Sequence, residues 1–263
     1  MAKIADCDLI IEVVMEKLEI KHQVFANVAK HRKPGSIVTT NTSGIPIKAM
    51  AAKMDKEMSQ HFLGTHFFNP PRYLKLLELI PGPDTLPEVI ETIADFGENV
   101  LGKGIVYAKD TPNFIANRII TFAMQYLMHE MTKEGLTVEE IDALTGPAIG
   151  HASSATFRTA DLVGLDTLQK VVGNVRNGCP DDERLNIMSG PDWFDKMIEK
   201  GWFGLKSGSG FYKKTAEKDE KGKPIIMAFD PATLDYRPPM KPRFDCTGAV
   251  RNVDKVEEKL KIM

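Results

Sequence analysis

Strands alternating with helices as far as residue 110, followed by helices with no convincing strand from 111 to 205, predict an α/β layer and then an all-α part. The alternation implies a mainly parallel sheet in the first part. A length of 263 residues suits one large domain or two smaller ones, and a hydrophobic content of 43% is enough for a real core. The 34 basic and 36 acidic residues leave a formal charge of -2, which argues against a general binder of nucleic acid or acidic membranes. Cys7, Cys179 and Cys246 are widely spaced and form no Cys-x-x-Cys pair. Neither a disulfide framework nor a metal site is indicated, and a reducing, cytoplasmic location is expected. No apolar run approaches the roughly 20 residues that span a bilayer. Met1-Ala-Lys-Ile-Ala-Asp6 shows no signal-peptide pattern.

Taken in order, Cys7 to Val14 reads as a buried strand rich in Ile and Val. Leu18, Val24, Phe25 and Val28 fall near helical spacing, and Pro34-Gly35 closes that helix. Ser36 to Thr40 is a second strand. Asn41-Thr-Ser-Gly44 is a loop, and Pro46 opens a short helix through Ala52. His61 to Phe68 and Leu74 to Ile80 are the third and fourth strands. Thr85 and Glu88 make a capping box for a helix to Leu101 whose inner stripe is Val89, Ile90, Ile93 and Phe96. Gly104 to Ala108 is a fifth strand. A long helix from about Thr111 to Glu134 opens the helical part. Thr137-x-x-Glu140 caps the next helix, and others are expected at about 158–175 and 191–200. Lys206-Ser-Gly-Ser-Gly-Phe-Tyr212 is a turn. It lacks the strand-before, helix-after setting and the Lys-Ser/Thr ending of a phosphate loop. The polar, Pro-rich remainder, 214–263, reads as a linker or extended arm with a short charged helix near its end.

The stretch from Gly64 to Ile80 holds one histidine, His66, and one acid, Glu78, on two apolar runs. Asn69-Pro-Pro71 between them cannot continue a helix. Strand, turn, strand would bring imidazole and carboxylate together at the end of a sheet, as a base and its orienting partner. The same pattern also suits a histidine capping a strand end and a glutamate on an edge strand, and spacing by itself leaves both readings open.

The motif order is more specific. Asp8-Leu-Ile-Ile-Glu12, Asn41-Thr-Ser43, His66-Phe-Phe-Asn-Pro70, Asp110-Thr-Pro-x-Phe-Ile-x-Asn-Arg118, Asp161-Leu-Val-Gly-Leu-Asp166 and Gly204-Leu-Lys-Ser-Gly-x-Gly-Phe-Tyr212 follow one another through the chain. In this the chain resembles the L-3-hydroxyacyl-CoA dehydrogenases of fatty-acid β-oxidation, over about residues 5 to 213. The resemblance implies an incomplete Rossmann-type, doubly wound NAD-binding domain over 1–110. It further implies an all-α domain like that of 6-phosphogluconate dehydrogenase over 111–213, for substrate binding and homodimer formation. The implied reaction is NAD-dependent oxidation of 3-hydroxyacyl-CoA to 3-ketoacyl-CoA. In it His66 would be the general base, Glu78 its orienter, Ser43 a donor to substrate oxygen beside the nicotinamide, and Asn117 a polariser of the carbonyl. NAD contacts carry over to Glu16, Lys21, Ser43, Asn69 and Lys206. Read without the resemblance, Glu16, Lys21 and Lys206 are surface charges and Asn69 a turn residue.

The chain departs from the family in two places. The family's Gly-x-Gly-x-x-Gly fingerprint, which seats the pyrophosphate on a helix N-terminus, occurs nowhere in these residues. The expectation is a fragment of a longer polypeptide, impaired in NAD binding. About fifty residues follow the Gly-Phe-Tyr turn, which together with Ser153 to Ala160 is similar to proteins in which the dehydrogenase precedes an enoyl-CoA hydratase part. Two other functions fit the same residues: an assembly fragment that only pairs subunits, and a related dehydrogenase of a small hydroxy acid.

Overall fold

A computed structural model describes residues 2–263. The chain forms two compact units, Met1–Ile119 and Ile120–Met263.

The first unit is a five-stranded sheet in the order β1 (Leu9–Glu12), β2 (Ile37–Thr40), β3 (Phe62–Phe67), β4 (Leu76–Pro81), β5 (Gly104–Tyr107). β1, β2 and β3 run parallel, β4 turns antiparallel to β3, and β5 is parallel to β4. The antiparallel pair falls at Asn69-Pro-Pro71, where no crossover helix can form. Helices α1 (Leu18–Ala29), α2 (Ile47–Ala51), α3 (Lys56–Gln60) and α4 (Pro87–Asp95) cover the sheet. Period-two alternation along the strands divides their apolar residues between two cores. Val38, Phe62 and Ile80 pack with Phe25 and Val28 of α1 and Ile47 and Met50 of α2. Leu63, Leu77 and Leu79 pack with Val89 and Ile93 of α4.

Three local readings change. α3 has no sequence periodicity to announce it; Asp55 caps it by accepting the Met58 N–H at 2.8 Å. Thr85 is not the cap of α4. Its hydroxyl donates to the Phe62 carbonyl and accepts the Gly82 N–H, while Pro87 opens the helix. The division between units falls after 119 rather than at 110. Asp110 accepts the Ile47 and Lys48 N–H groups at 2.7 and 2.8 Å, and Phe114 packs into the first core, so residues beyond 110 stay with the sheet.

α5 (Ala116–Glu134) has its first turn in the first unit. The second unit continues with α6 (Val138–Leu144), α7 (Phe157–Val163), α8 (Leu165–Gly178) and α9 (Asp192–Glu199). The capping box of α6 is present: Thr137 accepts the Glu140 N–H and Glu140 accepts the Thr137 N–H. The single helix expected over about 158–175 is two, broken at Gly164 with φ of 99°.

The expected linker, 214–263, is instead folded. β6 (Tyr212–Lys218), β7 (Pro224–Asp230) and β8 (Asp235–Arg237) form an antiparallel sheet, followed by α10 (Asp245–Ala249) and α11 (Val256–Ile262). The Lys/Glu/Asp run that suggests a linker is the wet face and turn of a hairpin. Its inner face carries Phe229, fully buried among Trp193, Trp202, Phe211 and Tyr236 at ring distances of 5.6 to 6.5 Å. Arg237 makes a two-pronged pair with the buried Glu139 carboxylate, both bonds 2.8 Å, and the Met240 N–H adds a third at 2.7 Å.

The Gly-rich turn at 204–210 also has a structural explanation. Both oxygens of buried Asp161 accept backbone N–H bonds, from Phe211 and Tyr212, at 2.8 Å each. A Cβ on Gly204 would lie 2.4 Å from the Asp161 carbonyl oxygen, and one on Gly210 would lie 2.1 Å from its Oδ1. Only glycine lets the turn close on that carboxyl group. Burial pushes the Asp161 carboxyl up to about 7, against the pull of its two N–H donors.

Phe229→Ala is expected to destabilise the second unit by about 3–5 kcal/mol in urea denaturation, as for a large ring removed from a packed core. A change within about 0.5 kcal/mol, the usual range for surface positions, would return this segment to a linker.

Candidate active site

β3 and β4 place His66 directly opposite Glu78 in the antiparallel register. His66 Nδ1 lies 2.7 Å from Glu78 Oε2. Both side chains are out of water, His66 at 5% and Glu78 at 0% exposure. The other carboxylate oxygen, Oε1, accepts the Ile115 and Ala116 N–H groups at 3.1 and 2.8 Å. These donors sit where α5 begins, at a helix N-terminus whose first N–H groups have no partner within the helix. Burial pushes the Glu78 carboxyl up. The His66 bond and the Ala116 and Ile115 N–H groups outweigh it and hold the group below the usual carboxylate range.

This fixes the tautomer by elimination. An ionised Glu78 only accepts, so His66 Nδ1 must donate to it. The Nε2 of a neutral ring then carries the lone pair and is the nitrogen that can take a proton. Phe68 and Phe114 line the imidazole, with ring centroids 4.5 and 5.5 Å away.

The loop after β2 is tied to the same strand end. Asn41 Oδ1 accepts the Phe67 N–H at 2.9 Å, one residue past His66, so Asn41 holds the Ser43 loop to the end of β3. Nothing in the spacing of the Asn41-Thr-Ser43 motif points to Asn41, whose side chain is a strand-to-loop tie. Glu16 closes the loop from the other side. Its Oε1 accepts the Ser43, Gly44 and Ile45 N–H groups at 3.1, 3.0 and 3.3 Å and the Thr42 hydroxyl. Burial raises the Glu16 carboxyl, but bonds from Thr42 and Gly44 and the nearby Lys21 charge bring it below its usual range.

The other residues singled out in the sequence fall as follows. Asn117 sits on the first turn of α5, next to the Ala116 N–H that Glu78 accepts. Asn69 is exposed just past β3. Lys21 is not a surface charge: it points inward from α1, 1% exposed, with Nζ 2.9 Å from both oxygens of Glu12. Glu12 had no role in the sequence reading, and no spacing signal marks it. Lys206 belongs to the second unit, paired with Asp166.

The residues of the first unit lie where a dinucleotide would fit. Glu16 and Ser43 lie past the carboxyl ends of parallel β1 and β2, where open α/β sheets bind ligands. Val13 and Met15 stand exposed beside Glu16 as apolar surface. Among the described residues no helix is long and apolar enough to cross a membrane.

Comparison with known proteins agrees with this geometry. Residues 1–111 match the family model "3-hydroxyacyl-CoA dehydrogenase, NAD binding domain", and residues 114–214 match the C-terminal domain of the same family. A probable 3-hydroxyacyl-CoA dehydrogenase of Bacillus subtilis is 49% identical over 261 residues, 99% of this chain and 32% of that protein. One from Deinococcus radiodurans is 45% identical over 249 residues, 92% of this chain and 70% of that protein. A putative fatty acid oxidation complex trifunctional enzyme of Rickettsia prowazekii is 36% identical over 90% of this chain and 33% of its own length. The chain thus spans about a third of the length of two of these relatives. Among solved structures, 3-hydroxybutyryl-CoA dehydrogenase of Escherichia coli superposes with a TM-score of 0.72 at 31% identity, over 83% of this chain and 45% of that one. Two matched domains in order, and a relative 45% identical over most of its own length, establish that this chain belongs to the 3-hydroxyacyl-CoA dehydrogenase family.

Proposed function

We infer that the protein oxidises L-3-hydroxyacyl-CoA to 3-ketoacyl-CoA with NAD, and that His66 is the base. The observation that carries this is the buried His66–Glu78 pair locked to the start of α5. His66 Nε2 takes the proton from the 3-hydroxyl group, and in the reverse direction gives it back. Glu78 keeps Nδ1 as the donor and stabilises the imidazolium that forms. Ser43 and Asn117 orient the substrate oxygen, Ser43 on a loop held by Asn41 and Glu16, Asn117 on a helix held by Glu78. Bound NAD supplies the acceptor for the C3 hydride, with Glu16, Ser43 and Asn69 as the residues of the first unit that would hold it. The proton and the hydride together balance a two-electron oxidation of the alcohol. No Gly-x-Gly-x-x-Gly turn occurs in these 263 residues, so by themselves they are expected to hold NAD weakly.

Relatives named as trifunctional enzymes of a fatty acid oxidation complex favour a place in fatty-acid oxidation for the whole protein. Pairing of two copies through the second unit is favoured by Leu162 and Val163 on α7, 61% and 55% exposed. Leu162→Asp is expected to halve the mass seen by light scattering; an unchanged mass would rule this face out.

In the full natural polypeptide, His66→Gln is expected to lower kcat for acetoacetyl-CoA reduction by about 10²–10⁴, followed as NADH absorbance. Wild-type turnover in this variant would reject His66 as the acid–base group.

Glu78→Gln tests the carboxylate through stability. A carboxyl group held below its unfolded value of 4.5 contributes stability that is present above that pH and lost as pH falls through the folded value. The wild type should therefore exceed Glu78→Gln in stability at neutral pH and lose that advantage below about pH 4.5. A gap that stays constant from pH 7 to pH 3 in denaturant titrations would show that Glu78 is not ionised in the folded chain.

A further inference from the structure

A cavity of about 320 Å³ opens between α5, α8 and α9 in the second unit, and the proposed reaction uses none of the residues that line it. Its inner wall holds Gln125 of α5, which is 0% exposed. Neither Oε1 nor Nε2 of Gln125 has a hydrogen-bond partner among the described residues. Burying a carboxamide is costly unless both of its ends are answered. Met188 and Phe194, which line the same cavity, belong to the apolar core, so an apolar residue at 125 would serve packing without that cost.

Two glycines keep the space open. Gly173 lies in the interior of α8, where glycine weakens a helix, yet a Cβ there would meet nothing within 4 Å. No close contact requires glycine at this position; a side chain would take up room in the cavity that Gly173 lines. Gly190 leaves room for Gln125 itself, since a Cβ there would lie 3.0 Å from Gln125 Oε1 and 3.2 Å from Phe194 Cδ1. The rim of the cavity is charged. Arg176 comes from the last turn of α8, and Asp192 and Asp195 come from the first turn of α9; all three are exposed. Gln169 donates to Asp195 at 3.3 Å and ties α8 to α9. One positive and two negative formal charges around one opening suit a zwitterion and oppose a polyanion such as a nucleotide.

We propose that this cavity binds a free amino acid with a carboxamide side chain, of the glutamine or asparagine type. The ligand's carboxamide pairs with that of Gln125 through two reciprocal N–H to C=O bonds; a carboxylate in its place could answer only Nε2. The ligand's α-carboxylate meets Arg176, and its ammonium group meets Asp192 and Asp195. The cavity volume is near the lower end for ligand sites, as suits a ligand of about ten heavy atoms.

The test is calorimetric titration of the full natural polypeptide with L-glutamine and L-asparagine, and with L-glutamate and L-aspartate as their acceptor-only counterparts. At least one carboxamide amino acid is expected to bind saturably, and about tenfold or more tightly than its acid. Binding is expected to weaken about tenfold or more in Gln125→Leu, which lacks the pairing amide, and in Gly173→Leu, whose side chain fills the cavity. Both variants are expected to melt no lower than the wild type, since one removes an unanswered buried amide and the other a helix glycine. Should Gln125→Leu fail to fold, Gly173→Leu and the rim change Arg176→Ala read the same binding. NADH titrations of these variants should match the wild type, so the result stands apart from the dehydrogenase reading. The proposal is overturned if neither carboxamide amino acid binds, if the acids bind equally well, or if the variants keep wild-type affinity; Gln125 is then a core amide answered by solvent alone.

Discussion

The first unit depends on a single buried carboxylate. Glu78 is fully out of water and carries three hydrogen bonds, one from His66 and two from the N–H groups that open α5. Burying a carboxylate costs several kcal/mol unless donors replace its water, and here they do. The N-terminal end of a helix also carries partial positive charge, which favours an anion at that spot. One side chain thus fixes the tautomer of His66, caps α5 and sets the position of Asn117. Removing it would disturb the His66 imidazole and the fold together, which is why stability against pH reads it more cleanly than activity does.

Much of this was legible in the sequence, and the parts that were not have physical reasons. The five strands are visible because apolar β-branched runs are bounded by Gly, Pro and Asn. His66 opposite Glu78 follows from two apolar runs joined by Asn-Pro-Pro, while spacing by itself leaves a structural and a catalytic pair both open. Thr137 and Glu140 announced their own capping box, whereas Thr85 and Glu88 have the same spacing and make none. The difference lies in Pro87, which starts the helix one residue after a strand-like Leu86 and frees Thr85 to bond Phe62. The meander at 212–237 is not legible because a hairpin with one wet face has the composition of a linker. Long-range partners of buried charges, such as Glu12 with Lys21 and Glu139 with Arg237, leave no local signal at all.

In the second unit the family motifs turn out to encode packing. Asp161 opens one motif and the glycines of 204–210 form another, and they meet as a carboxyl group seated on two backbone N–H groups. Gly204 and Gly210 are glycines because Asp161 occupies the space a Cβ would need. The Tyr212 hydroxyl donates to a second buried acid, Asp142, at 2.7 Å, while Arg158 lies over the Tyr212 ring at 4.1 Å. The resemblance of that turn to a phosphate loop is therefore accidental: its small residues make room for a carboxyl group of the same chain.

The two charged clusters of the first unit divide the chemistry between them. Glu78 holds the His66 imidazole, and Glu16 holds the Ser43 loop through its backbone N–H groups. Asn41 joins them, since it ties that loop to the residue after His66. A reaction that removes a proton and a hydride from adjacent atoms needs both groups placed to within a few tenths of an ångström at once. Backbone N–H bonds to fixed carboxylates provide that placement without side-chain motion. Ser43, His66, Glu78 and Asn117 all fall within residues 41–117.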